Sequence, residues 1–139
     1  MEPEGSTDAD EAANEPAVSV DAGFDAIADA RRRYALYYLR ERESATLDEL
    51  ATVVTGWLAA RNDPDGAGSR ADRDRTRIDL HHVQLPTLAS AGVISYDDQT
   101  GGVELESLPA FLDGVLDQSL ADERAAAERE RRESTDERG

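Results

Sequence analysis

Residues 82–106, HVQLPTLASAGVISYDDQTGGVELE, decide the fold. Their first part ends a helix, whose buried stripe is expected to contain residues at helical spacing: Ile78, His81, Leu85 and Leu88. Pro86 lies inside that helix and lacks an N–H, so it frees the His82 carbonyl and predicts a kink. Gly92 is expected to stop the helix, because glycine readily adopts the left-handed conformation found after a helix end.

The second part of the stretch predicts a β-hairpin. Val93–Tyr96 opens with an apolar pair and Val103–Glu106 alternates, and both patterns are typical of short strands. Asp97–Gly102 lies between them and supplies glycines for the positive φ angles of a tight turn. The chain is therefore expected to run from a helix directly into a hairpin.

Upstream of the hairpin, apolar spacing predicts helices over three ranges: Phe24–Arg42, Leu47 to about Arg61, and about Arg70 to Ala91. Thr46 and Glu49 form a capping-box pattern at the start of the second helix, since each side chain can bind the other residue's N–H. Residues 44–46 are expected to be a short break, and residues 62–69 a loop because of their turn chemistry.

Downstream, a fourth helical region is expected from Leu108 to about Arg132. The order helix, helix, helix, hairpin, helix predicts a mostly α protein with a small β-hairpin: a winged helix-turn-helix with an additional C-terminal helix. The winged-helix domain is expected over residues 24–106 and the C-terminal helix over 107–132. The flanking residues, 1–23 and 133–139, are expected to be a disordered acidic arm and a disordered tail.

The chain is strongly acidic: 31 acidic residues stand against 15 basic ones, and the net charge is −16. Every basic residue is Arg. We interpret the acid excess as adaptation to concentrated salt, where charges are screened within about 3 Å. The alternative is a codon bias acting on an acidic protein. Residues 30–95 stay near neutral while both ends are acidic, which indicates that the middle of the chain uses its Arg residues.

Several protein classes are not expected. There is no Cys, the two His residues are adjacent, and residues 66–68 lack a phosphate-loop fingerprint. We therefore expect no enzyme activity, no cofactor and no metal. The N-terminus has no signal-peptide pattern, and no apolar run approaches the roughly 20 residues of a membrane span. A cytoplasmic location without membrane contact is expected.

Two segments carry a family resemblance. Residues 28–39, ADARRRYALYYL, followed by Leu47–Ala51, resemble the opening of small prokaryotic winged-helix transcriptional regulators. His82–Leu88 followed by Ala91–Ile94 is similar to the end of a recognition helix and its turn into the wing. Over about residues 24–106 the chain resembles a haloarchaeal winged-helix domain family of uncharacterised function. The resemblance implies a DNA-binding regulator from a halophilic archaeon.

The N-terminal part of the third helix carries the main candidates for DNA contact. In helix-turn-helix proteins this end contacts bases and phosphates, and Arg binds guanine or phosphate through two hydrogen bonds. Four Arg residues lie there: Arg70, Arg73, Arg75 and Arg77. Of these we select Arg73 and Arg77, together with Thr76. The alternative is a solvated helix whose interleaved Asp residues neutralise the Arg residues.

Further candidates lie on the third and first helices. Gln84 is expected to read adenine, and His82 to lie on the surface, whereas His81 is expected to face the core. Arg32, within the run 31–33, is expected to contact the phosphate backbone. The alternative is again a solvated face that pairs with acids of its own helix.

The tip of the hairpin argues against DNA binding. Many wings place a basic residue in the minor groove, but here Asp97 and Asp98 occupy the tip. Molar salt screens their repulsion from phosphate, and it also weakens the contribution of counterion release. A DNA-binding protein in such salt would depend on hydrogen bonds, shape and base contacts.

The C-terminal helix is expected to be a dimer element, which would match the two-fold symmetry of operator half-sites. Its apolar stripe contains Leu108, Phe111, Leu112, Val115 and Leu116. The alternative is that the stripe packs on its own domain.

Two functions are compatible with the sequence: a transcriptional regulator that binds DNA in molar salt, and a winged-helix module that has lost DNA binding and contacts a protein. An Arg-lined outer face of the third helix would favour the first, and an apolar patch there the second. No small-molecule effector can be argued from the sequence.

Overall fold

The computed structural model describes residues 18–62 and 68–138. Its elements, in chain order, are α1 (Val20–Ala26), α2 (Ala30–Arg42), β1 (Ser44–Thr46), α3 (Leu47–Asn62), α4 (Arg70–Asp79), α5 (Leu85–Ser90), β2 (Ile94–Asp97), β3 (Gly102–Leu105) and α6 (Ala110–Arg138). A π-helical turn, Leu80–Gln84, joins α4 to α5. Residues 70–90 therefore form one continuous helical segment, called helix three below.

The three strands form one antiparallel sheet with the order β1-β3-β2. Val103 of β3 lies opposite Ala45 of β1 on one side and Tyr96 of β2 on the other. Helices α2 and α3, helix three and the β2–β3 hairpin (called the wing below) follow one another as in a winged helix-turn-helix, with α1 before them and α6 added at the C-terminal end. The predicted fold class is confirmed.

The hairpin is confirmed with strands shifted by one residue from the expected bounds. Asp97 closes its turn, because the carboxylate accepts the N–H groups of Gln99 at 2.9 Å and Thr100 at 3.3 Å. Gly101 adopts a φ of 80°, which favours glycine. The expectation of a simple break at residues 44–46 was wrong, since they form β1. That strand is too short to produce a readable alternation.

The predicted first helix is two helices. Asp29 accepts the N–H of Arg31 at 2.8 Å and so begins α2, after α1 has ended at Ala26. The predicted disordered arm is also too long, because Val18 is buried and Ser19 caps α1 by accepting the N–H of Ala22. Residues 1–17 of that arm lie outside the described part of the chain, as do residues 63–67 of the predicted loop.

The second helix starts as predicted. The hydroxyl of Thr46 accepts the N–H of Glu49 at 3.1 Å, and the carboxylate of Glu49 accepts the N–H of Thr46 at 3.0 Å. This capping box satisfies donors at the start of α3, which have no partner within the helix. It fixes the point where the chain leaves β1 and turns into the helix-turn-helix.

Pro86 explains the π-helical turn in helix three. It has no N–H for the carbonyl of His82, and the N–H of Leu85 instead bonds to Leu80, five residues back. The expected kink thus takes the form of a widened turn. Because that turn inserts one residue into the helix, the buried positions before Leu85 are Leu80 and Thr76 instead of the predicted His81 and Ile78.

The C-terminal helix packs on its own domain. Leu112 and Leu116 are completely buried, and Leu120 nearly so, within the single core of the chain. The prediction of a dimer element was therefore wrong for the centre of the stripe. Leu108 and Phe111 are half-buried against the same core, and Val115 keeps 36% of its surface exposed.

Two groups of polar contacts tie α6 to α2. Arg40 donates to Asp113 at 3.0 Å and to Asp117 at 2.6 Å. The hydroxyl of Tyr34 donates to Glu123 at 2.7 Å. The helix continues to Arg138, through most of the predicted tail. Among the described helices, none is both long and apolar enough to cross a membrane.

Candidate nucleic-acid interface

Helix three begins with a capping box. The hydroxyl of Ser69 accepts the N–H of Asp72 at 3.0 Å, and the carboxylate of Asp72 accepts the N–H of Ser69 at 3.3 Å. Asp72 also pairs with Arg75 on the next turn. These contacts place an acid near the N-terminus of the helix, where the helix dipole stabilises it.

The inward side of helix three contains two of the predicted contact residues. Thr76 is 8% exposed and Gln84 only 2%, in line with the buried Leu80 between them. Their side chains therefore cannot reach DNA in this fold, and both are removed from the predicted interface. The spacing of four residues, from Thr76 through Leu80 to Gln84, defines the buried side of α4 and the π-helical turn.

A part-buried hydrogen-bond network holds Gln84 in place. Its amide oxygen accepts from Arg32 at 2.7 Å, and its amide nitrogen donates to Asp79 at 2.9 Å. Asp79 also accepts from Arg31 at 2.8 Å. The guanidinium of Arg31 beside Asp29 holds the pKa of that carboxyl below its usual range. These contacts join the start of α2 to helix three.

Arg32 is therefore not available to phosphate, which corrects a third prediction. Besides Gln84, it donates to the carbonyls of Ala26 at 2.9 Å and Asp25 at 3.0 Å. These carbonyls lie at the end of α1, where a cation satisfies acceptors that have no partner within the helix. Arg33 makes a similar contact, to Ile27 at 2.8 Å.

The side of helix three that faces α3 carries Arg73 and Arg77. Arg73 donates to the hydroxyl of Thr52 at 2.8 Å, and Arg77 to the carboxylate of Asp48 at 2.6 Å. The hydrogen bond and charge of Arg77 hold the pKa of Asp48 below its usual range. Both Arg side chains remain partly exposed. They are thus surface cations that α3 holds in defined positions.

The outward side of helix three is partly apolar. Ile78 is 57% exposed and Val83 47%, and His82 is exposed beside them. The prediction that Ile78 is buried was wrong, because the π-helical turn changes the phase of the helix after α4. Sequence periodicity that assumes a regular helix cannot show this shift.

Strand β2 of the hairpin contacts helix three through His81. One ring nitrogen, Nδ1, lies 2.6 Å from the hydroxyl of Tyr96. His81 is half-buried against the wing, and its ring meets that of His82 edge-on at 4.7 Å. Within residues 18–62 and 68–138, no group of three His, Cys, Asp or Glu residues is arranged to hold a metal.

A family model described as a domain of unknown function, DUF7344, matches residues 24–104. The chain belongs to the DUF7344 family. The matched span contains α2, α3, helix three, β1, β2 and all of β3 except Leu105, and it ends before α6. No curated protein and no solved structure matches the chain.

The wing of this DUF7344 domain has an acidic tip with a structural cause. The hydrogen bonds from the N–H groups of Gln99 and Thr100 hold the pKa of Asp97 below its usual range. Asp97 is thus needed for the turn itself, whereas Asp98 lies exposed next to it. An anionic wing tip would be repelled by phosphate unless salt screens the interaction.

Three of the six predicted contact residues lie on the surface of the DUF7344 domain: Arg73, Arg77 and His82. The first two share one side of α4, since they are four residues apart. His82 lies within the π-helical turn and, like Ile78, is exposed. The interface therefore offers guanidinium donors at one edge and a mixed ring and aliphatic surface at the other.

Proposed function

We propose that the protein is a DNA-binding transcriptional regulator of a cytoplasm with concentrated salt, and that helix three enters the major groove. The observation that supports this most is the placement of Arg73 and Arg77. Thr52 and Asp48 of α3 hold these cations on one side of the helix that winged helix-turn-helix proteins use for base contacts. The proposed role is regulatory and not catalytic.

The acidic residues near Arg77 and at the hairpin tip limit how much phosphate attraction contributes to the proposed DNA binding. Asp48 already binds Arg77, and the wing tip is acidic, so attraction between Arg and phosphate contributes little in molar salt. Hydrogen bonds to base edges are less sensitive to salt. Each guanidinium that binds guanine through two hydrogen bonds is worth about 1–3 kcal/mol of discrimination. The proposed regulator therefore gains specificity from Arg73 and Arg77 and has a weak general affinity for DNA.

The proposal is tested by measuring whether the protein prefers one DNA sequence over another. Fluorescence anisotropy would compare a duplex from the chain's own upstream region with a scrambled duplex of equal composition, over about 0.5–3 M KCl. We expect at least about tenfold tighter binding to one sequence. Selection from a randomised duplex pool in the same salt covers the case of a distant operator. If neither probe is preferred and no motif is enriched, the proposal is wrong.

A second function, protein interaction, is favoured by the exposure of Ile78 and Val83. Aliphatic side chains on the outward side of helix three fit a protein surface, and Asp97 and Asp98 would not disturb such a contact. A photo-reactive phenylalanine analogue at position 78 separates the two candidates. Cross-links to protein but not to DNA in cells would favour the interaction module, and cross-links to DNA would favour the regulator.

A further inference from the structure

A cleft of about 630 Å³ separates α3 from the second half of α6. Gly56, Trp57 and Ala60 form its wall on α3, and Ala126 and Ala127 its wall on α6. This volume lies within the range of about 300–1,000 Å³ that small-molecule sites occupy. None of the residues proposed to contact DNA is among the residues that line this cleft.

Gly56 lies within the sixteen-residue helix α3, and no described neighbour is close enough to require a glycine there. A Cβ built there meets no described atom within 4 Å. Glycine inside a helix costs about 1 kcal/mol relative to alanine. The missing side chain instead leaves the backbone of α3 open on the cleft, next to Trp57. This is the arrangement expected where a flat molecule lies against a helix.

The aromatic wall of the cleft is rigid. The ring centroid of Trp57 lies 5.0 Å from that of Tyr34 and 5.4 Å from that of Tyr37. Both tyrosine hydroxyls donate to Glu123 of α6, at 2.7 Å and 3.1 Å. Because this cluster is already packed and hydrogen-bonded, the half-buried face of Trp57 is fixed before anything binds.

Three Arg and three acidic residues line the cleft, and two of the Arg side chains have no carboxylate partner in the described chain. Arg61 donates to the hydroxyl of Tyr34 at 3.3 Å instead of to a carboxylate, and within the described chain Arg124 forms no ion pair. Two of the acidic residues already accept hydrogen bonds. Glu123 accepts from the hydroxyls of Tyr34 and Tyr37, and Asp122 accepts from Gln118 at 3.0 Å. Glu130 is the remaining acid of the lining.

We propose that this cleft binds a planar aromatic carboxylate. The ring lies against Trp57 and the bare backbone at Gly56, and the carboxylate accepts hydrogen bonds from Arg61 and Arg124. Charge-assisted hydrogen bonds from guanidinium groups are strong and directional, and aromatic contact supplies the apolar part of the affinity. The site does not depend on DNA binding.

The test uses 1-naphthoate as the probe. Trp57 is the only tryptophan of the chain, so its indole N–H gives a single resonance that reports on the cleft. We expect saturable shifts with a dissociation constant below about 5 mM, and at least about fivefold weaker binding of the neutral 1-naphthylmethanol. Absence of saturable binding, or equal binding of the neutral probe, would overturn the proposal.

Two glycine variants locate the site. Gly56→Leu places a side chain in the cleft and is expected to weaken 1-naphthoate binding by about tenfold or more. Gly114→Leu is the matched control, because a Cβ at that position in α6 also meets no described atom within 4 Å and lies outside the cleft. Equal effects of both variants would overturn the proposal. So would dissociation of a wild-type dimer by Gly56→Leu in sedimentation velocity, since the cleft would then hold a second copy.

Discussion

Arg32 of α2 donates a 2.7 Å hydrogen bond to the buried amide oxygen of Gln84 in helix three. The same guanidinium holds the carbonyls of Asp25 and Ala26 at the end of α1, and the amide nitrogen of Gln84 donates to Asp79. One buried amide therefore fixes helix three relative to both N-terminal helices. Gln84 would thereby position the proposed DNA-binding surface without being part of it.

Replacement of Gln84 by leucine is expected to lower the free energy of unfolding by about 1–3 kcal/mol, because Arg32 and Asp79 each lose a partner in a part-buried site. Urea unfolding in molar KCl measures the change. His82→Ala is the control on the exposed side of helix three, where a change within about 0.5 kcal/mol is expected. A Gln84→Leu variant as stable as wild type would show that the network contributes nothing.

Leu116→Ala is expected to lower the free energy of unfolding by about 2–5 kcal/mol, because it leaves a cavity under α6. Val115→Ala, one residue away on the exposed side, should change it by less than about 1 kcal/mol. Thermal unfolding and sedimentation velocity together make the measurement. If Leu116→Ala left stability unchanged and instead dissociated a dimer, the packing of α6 on its own domain would be contradicted.

Burial and the hydrogen bond to Glu123 raise the pKa of Tyr34 to about 12. The unfolded chain has a tyrosine pKa of about 10, so the neutral hydroxyl stabilises the fold fully below pH 10 and loses this effect as pH rises toward 12. The stability of Tyr34→Phe should therefore fall less than that of wild type between about pH 10 and 12. Parallel urea titrations would disprove this if both proteins lost equal stability.

The melting temperature is expected to rise as KCl increases from about 0.1 M to 1 M, where the screening length falls from about 10 Å to 3 Å. The reason is the net charge of −16, whose self-repulsion opposes the compact state. Sucrose at matched osmolality controls for solute exclusion, which stabilises folds without screening charge. A melting temperature that stayed constant or fell with KCl would contradict the interpretation of the acid excess as salt adaptation.

Local chemistry made much of this fold predictable. The pairing of Thr46 with Glu49 marked the start of α3, and the residues from Asp97 to Gly102 marked the hairpin turn. Each depends on hydrogen bonds or φ angles of residues close in sequence, so the pattern and the structure coincide. The order of these local features was sufficient to predict a winged helix.

Long-range contacts and helix phase were not predictable. Gln84 is buried because Arg32, 52 residues earlier, supplies its partner, and nothing near Gln84 in sequence indicates that contact. Ile78 was placed in the core by a regular helical period, whereas the π-helical turn before Pro86 buries Leu80 in its place. Three of the six predicted contact residues were therefore wrong: Thr76 and Gln84 are buried, and Arg32 caps α1.

Arg73 and Arg77 of helix three are the residues that we propose contact DNA. The most direct test is fluorescence anisotropy in about 2 M KCl with the preferred duplex, comparing wild type with Arg73→Ala/Arg77→Ala. Arg129→Ala/Arg132→Ala is the matched control, since it removes the same charge from exposed positions in α6. Circular dichroism would establish that all three proteins are folded.

We expect the helix-three variant to lose at least about tenfold in affinity and most of its sequence preference, because each lost Arg contact is worth about 1–3 kcal/mol. The α6 control should bind as wild type does. Wild-type affinity in the helix-three variant, or an equal loss in the control, would contradict the claim that helix three carries the DNA-binding surface.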